Sequence, residues 1–159
     1  IRGIELTPEE IQLGELAVLK RAYRYGKETG HPSKMLQCSM RVFDDGPGGT
    51  ASSWHVEKLA GGDFVYTCPP SYISQLMNAE DRMQPFDSEA INEDAPDRLI
   101  QKLRKLPYFR QAYDFGGMLP KEFSQFGAFA ATATEFAAAT RKTVDFVANA
   151  LEETSSRAA

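Results

Sequence analysis

The chain is short of the residues that would make several function classes easy to recognise. Of its 159 residues only two are cysteine, two histidine and one tryptophan. Cys38 and Cys68 form no Cys-x-x-Cys pair and have no Cys/His spacing of the kind zinc needs, so the sequence predicts no metal site and two free, buried thiols in a reducing compartment. Apolar runs approaching the ~20 residues of a membrane span are missing, and so is a signal-peptide pattern. Positive charge is not in excess: 18 Lys and Arg against 22 Asp and Glu give a formal −4. That argues against the broad basic surface on which general nucleic-acid binding depends, and leaves room for localised anion sites. The Gly-rich stretch Asp44-Asp45-Gly46-Pro47-Gly48-Gly49-Thr50 lacks the spacing of a nucleotide-binding loop and reads as a mobile rim. A cytoplasmic globular protein with 42% hydrophobic and 25% charged residues remains.

What is present is an alternation of helical and strand-like segments. Thr7, Pro8 and Glu10 supply an N-cap, a first-turn proline and a capping box, so a helix is predicted from there to a stop at Gly30. Ile11, Val18, Ala22 and Tyr25 share one apolar face of it, and Leu16, Leu19 and Tyr23 another. Lys20, Arg21, Arg24 and Lys27 are assigned to the solvated side. Residues 34–41 then read as a strand ending in Ser39 and Arg41, a hydroxyl and a guanidinium suited to an anion. Residues 64–68 read as a second strand, reached through a short helix over 53–60 that Ser53 would cap. The two strands are therefore expected to lie side by side and parallel, linked by that helix. His55, in the first turn, is weighed as an acid/base group and assigned to a surface or capping position, for want of a partner.

Downstream, Pro69 and Pro70 open another helix, and 80–96 read as a polar surface excursion. Asp94 and Asp97 mark a further helix start, with Leu99, Leu103 and Leu106 opposite a solvated Arg98, Lys102 and Lys105. Pro107 is read as its end, and Tyr108–Phe115 as an aromatic linker. A last helix from about 120 to 153 carries Phe123, Phe126, Phe129, Phe136 and Phe146, expected to pack in a core.

Ser39-Met40-Arg41, then Val56-Glu57-Lys58-Leu59-Ala60-Gly61-Gly62-Asp63 with the strand Phe64-Val65-Tyr66-Thr67-Cys68-Pro69, and Ile73-Ser74-Gln75-Leu76, together resemble the C-terminal part of the transaldolase family. There Ser-Phe-Arg-Asn is followed by a helix, Leu-Ala-Gly-Cys-Asp and a strand ending in Ser-Pro or Ala-Pro. Phe136-Ala137 looks like the Phe-Ala of that family's final helix. Val42 stands where the family has Asn, Tyr66 where it has Thr, and the 44–50 loop is an insertion.

The resemblance implies that residues 1–159 are the C-terminal portion of a (β/α)8 TIM barrel, helix-rich and incomplete without an N-terminal part. A whole barrel takes roughly 250 residues, and the opening Ile1-Arg2-Gly3 fits a fold already under way. It also implies a transferase of the pentose phosphate pathway that moves a dihydroxyacetone unit between sugar phosphates through a lysine Schiff base, with no cofactor. The catalytic lysine would lie outside this chain, and Ser39 and Arg41 would bind the substrate phosphate. The partners expected are the sugar phosphate, the N-terminal part of the barrel or a complementary chain, and a second copy of the chain, but neither nucleic acid nor membrane. A non-catalytic or differently specific sugar-phosphate-binding paralogue, or an aldolase, on the same scaffold is the alternative, and a module whose phenylalanine helix recruits a partner is a third reading.

Overall fold

A computed structural model of the chain describes residues 3–38 and 40–158. It is helix-rich, with few and short strands, an α/β mixture with no closed barrel among those residues. Two compact units divide it, Ile1–Phe115 and Gly116–Ala159.

The first unit begins with α1, Pro8–Glu28. Its capping box forms as the sequence requires: the Glu10 amide donates to Thr7 Oγ1 (3.1 Å) and the Thr7 amide to Glu10 Oε2 (3.0 Å). At the other end the Gly30 amide donates to the Lys27 carbonyl and the His31 amide to that of Gly26. This Schellman closure requires a left-handed residue, and Gly30, at φ 65°, is that residue.

Four short strands and two helices follow: β1 (Met35–Gln37), β2 (Phe43–Asp44), β3 (Ala51–Ser52), α2 (Trp54–Leu59), β4 (Phe64–Tyr66) and α3 (Pro70–Ala79). β1 and β4 pair in parallel, Met35 opposite Phe64 and Gln37 opposite Tyr66, as the strand, helix, strand order predicts. Both strands are shorter than the sequence suggests. β2 and β3 form an antiparallel hairpin that periodicity did not reveal. The unit closes with 3₁₀ turns at Glu80–Arg82 and Ala90–Asn92, then α4 (Asp97–Leu103) and α5 (Pro107–Tyr113). Pro107 is thus the first residue of a helix, where a missing N–H is harmless, and the expected aromatic linker is largely α5.

Leu16, Leu59 and Ile91 form one core cluster, with Trp54 and Phe64 packed on it. Leu99, Leu103 and Phe109 form the second, joined by Leu13 and Val18 of α1. The 80–96 segment is therefore not merely a surface excursion, since Ala90 and Ile91 are buried. Ile11 and Tyr25, expected on an inner face, are exposed.

Two lysines depart from the solvated role assigned to them. Lys20 is buried, and its Nζ donates to the carbonyls of Ala90 and Glu93 (2.9 Å to the latter). A burial that penalises charge lowers its pKa, while the carbonyls satisfy the donors. Lys102 Nζ reaches both carboxylate oxygens of Glu10, at 2.7 and 2.6 Å. Asp94, read as a helix start, instead pairs with Arg24.

The Lys102 contact, then the Thr7 amide, hold the Glu10 carboxyl below its ordinary pKa. A depressed folded-state pKa stabilises the fold above the unfolded carboxylate range and ceases to do so as pH falls through the folded value. Glu10→Gln is accordingly expected to lower the denaturation midpoint at neutral pH, with the gap from wild type closing on acidification. An unchanged gap at low pH would assign the loss to packing.

In the second unit a 3₁₀ turn at Pro120–Gln125 precedes α6, Gly127–Ala158. The two are separated by Phe126, whose ψ of 127° is extended, so the single predicted helix is broken there. Phe123, Phe129, Phe136 and Phe146 are exposed and do not form the core expected of them. Among the described residues no helix is long and apolar enough to cross a membrane.

Candidate site at the strand ends

Parallel strands present their carboxyl ends at one edge, and in α/β folds that edge is where ligands bind. Here β1 and β4 end together at Gln37 and Tyr66, and the ladder extends one bond further, from the Thr67 amide to the Gln37 carbonyl (2.9 Å). Of the two anion ligands named by the sequence, Ser39 lies outside the described residues. Arg41 follows β1 by four positions and is exposed. Among the described residues no ion pair includes it, in contrast to Arg24, Arg82 and Arg104, each of which holds an aspartate.

The backbone of Arg41 is held from behind. Ser53 Oγ lies 3.3 Å from the Arg41 carbonyl oxygen and 2.7 Å from Tyr72 Oη. Ser53 is fully buried and Tyr72 nearly so, at 4% exposure. Ser53 precedes α2 but does not cap it with its side chain; Glu57 Oε1 accepts from the Ser53 amide at 2.7 Å instead.

β4 runs almost directly into α3, whose N-cap is Pro69 and which has no side-chain cap. The first-turn amides of Ser71 and Tyr72 have no partner inside the helix, so α3 adds donors and a positive dipole end to the same edge. Tyr66, on β4, is half-buried. Burial first, then nearby Tyr72 and Cys68, raise its phenol pKa, so it is a neutral donor at physiological pH.

The 44–50 stretch, read as a rim loop, is the tip of the β2–β3 hairpin. The Asp45 amide donates to the Thr50 carbonyl, and the Gly46 amide to Asp44 Oδ1. Arg82 grips Asp44 through its two terminal guanidinium nitrogens and donates to the carbonyls of Gly46 and Asn78. The Arg82 fork lowers the Asp44 pKa. A bridge from Ala51 to Met83 ties the same two segments.

The thiols of Cys38 and Cys68 are free, as read, but exposed rather than buried. His55 is half-buried, edge-on to Trp54 at 4.7 Å, with Nε2 3.4 Å from Glu15 Oε1. Its Nδ1 is buried without a hydrogen-bond partner among the described residues. Among the described residues no cluster of His, Cys, Asp and Glu is arranged to hold a metal ion.

Sequence reasoning missed Tyr72, and a Tyr two positions into a Pro-Pro helix start carries no local signal of a partner nineteen residues away. No family model, curated protein or solved structure matches the chain.

Proposed function

We propose that this segment is the last two βα units and terminal helix of a transaldolase-like (β/α)8 barrel. It would serve in the cytoplasm as the phosphate-binding part of a transferase that moves a dihydroxyacetone unit between sugar phosphates. The observation that carries the reading is the β1/β4 pair. Parallel sheets are ordinarily covered on both faces and flanked by further strands. Here two three-residue strands pair with no third strand among the described residues, and the paired Leu36 and Val65 are exposed. Such a pair gains by the addition of strands from the rest of a barrel, from a complementary chain or from a second copy. Arg41 beyond β1, in no ion pair among the described residues, and the start of α3 beyond β4, with no side-chain cap among them, would supply a cation and amides at the edge where barrels hold phosphate.

In the reaction a lysine amine from outside the segment condenses with the ketose carbonyl and releases water. The resulting iminium accepts the electron pair of the breaking carbon–carbon bond. The enamine so formed attacks the acceptor aldehyde, and hydrolysis frees the lysine. Ser39 and Arg41 would hold the distal phosphate and so fix the carbonyl over the amine. No cofactor enters. The latched 44–50 hairpin and Tyr66 favour a substrate preference of their own on the same scaffold.

Reductive trapping tests the chemistry. Incubating the polypeptide that contains this segment with a phosphorylated ketose and borohydride is expected to add one three-carbon unit to a single lysine outside residues 1–159. A protein that binds the ketose phosphate but gives no adduct is the non-catalytic paralogue, and the transferase reading falls.

A further inference from the structure

We infer that Tyr72 and Ser53 are positioning residues for the Arg41 anion site, an inference that rests on the phosphate reading of Arg41. The proton directions follow from the groups present. The Arg41 carbonyl only accepts, so the Ser53 hydroxyl donates to it; Ser53 Oγ is then the acceptor for the Tyr72 hydroxyl. Each hydroxyl has one proton and each is used once, which makes the chain directional from α3 through the α2 N-terminus to the backbone after β1. Both side chains are buried, so solvent cannot stand in for either.

The chain has a geometric consequence. Arg41 lies outside any strand, and its own side chain is exposed and not ion-paired among the described residues. Its placement therefore depends on its backbone, and the hydroxyl chain ties that backbone to the start of α3. The same helix contributes the amides of Ser71 and Tyr72 to the strand-end edge. One pair of buried hydroxyls thus fixes the spacing between the backbone that carries the cation and the helix that carries the amide donors. A dianion that uses both needs that spacing fixed before it arrives.

The test uses inorganic phosphate as probe, titrated by calorimetry into the polypeptide that contains this segment. Tyr72→Phe removes one neutral hydrogen bond and is expected to weaken phosphate binding about two- to fivefold. Ser53→Ala breaks both links and is expected to cost about fivefold or more, with Ser53→Thr recovering most of it. In an Arg41→Ala background neither substitution should weaken binding further, because there is no guanidinium left to position. Losses that persist undiminished in that background, or no loss in the wild-type background, overturn the positioning role. If Arg41→Ala alone leaves phosphate affinity unchanged, the phosphate reading itself fails, which is a separate result. Thermal melts accompany each variant. Should Ser53→Ala not fold, the Tyr72→Phe cycle decides alone.

Discussion

Arg41→Ala, made in the polypeptide that carries this segment, is expected to reduce turnover of a phosphorylated ketose by roughly tenfold to several hundredfold. A charge-assisted hydrogen bond from a guanidinium contributes about 1.5–3 kcal/mol, and one or two such bonds span that range. The defect should follow the phosphate. With the unphosphorylated sugar any turnover should hardly change, because the interaction removed is one that sugar never makes. Arg41→Lys should recover part of the loss, since an ammonium keeps the charge and forfeits the fork. Ser39→Ala should resemble Arg41→Ala in a milder form, at about 0.5–1.5 kcal/mol for a neutral hydroxyl. Equal losses on both sugars would mean that Arg41 supports the fold or the reacting carbon.

Gly61→Ala is expected to have the largest effect on stability. At φ 85° the residue lies in the left-handed region, which costs a residue with a Cβ about 1–2 kcal/mol. The added carbon would also sit 1.7 Å from the Ser88 carbonyl oxygen. A backbone oxygen cannot rotate aside, so the 87–92 segment must shift. The Ile91 amide bonds the Ala60 carbonyl there, and Ile91 packs against Leu59. Displacing that contact opens the first core cluster, for a total loss of about 3 kcal/mol or more. Gly30→Ala is the control: φ is also positive, at 65°, but among the described residues no atom beyond its chain neighbours lies within 4 Å of the added carbon. Urea denaturation should therefore show a much larger midpoint shift for Gly61→Ala than for Gly30→Ala. Equal shifts would show that 87–92 yields freely.

What the sequence made legible was local. Thr7, Pro8 and Glu10 specify the start of α1 through bonds that span three residues, and Gly30 specifies its end through its own backbone freedom. Two apolar runs separated by a helical phrase were enough for a parallel pair. Partners remote in the chain were illegible. Lys20 sits among cations on a helix surface pattern, and nothing near it announces carbonyls seventy positions on. Lys102 has the same difficulty with Glu10. In the Gly-rich loop the turn residues were read correctly, but β2 and β3 are two residues each, too short to show alternation. At the candidate site Arg41 was named as the carboxyl end of a strand over 34–41, although β1 stops at Gln37. Its support from Ser53 and Tyr72 was not, because Ser53 also fits the commoner role of helix cap.

The two exposed thiols turn the open sheet into a self-reporting surface. Cys38 follows β1 directly and Cys68 follows β4 by two positions, and both are free. Alkylation kinetics at these two sulfurs therefore register whether anything has closed over the strand ends, with no label introduced into the chain. An incoming strand, a second copy and a bound dianion would shield them to different degrees. Assembly and occupancy at this edge can thus be followed as a reaction rate.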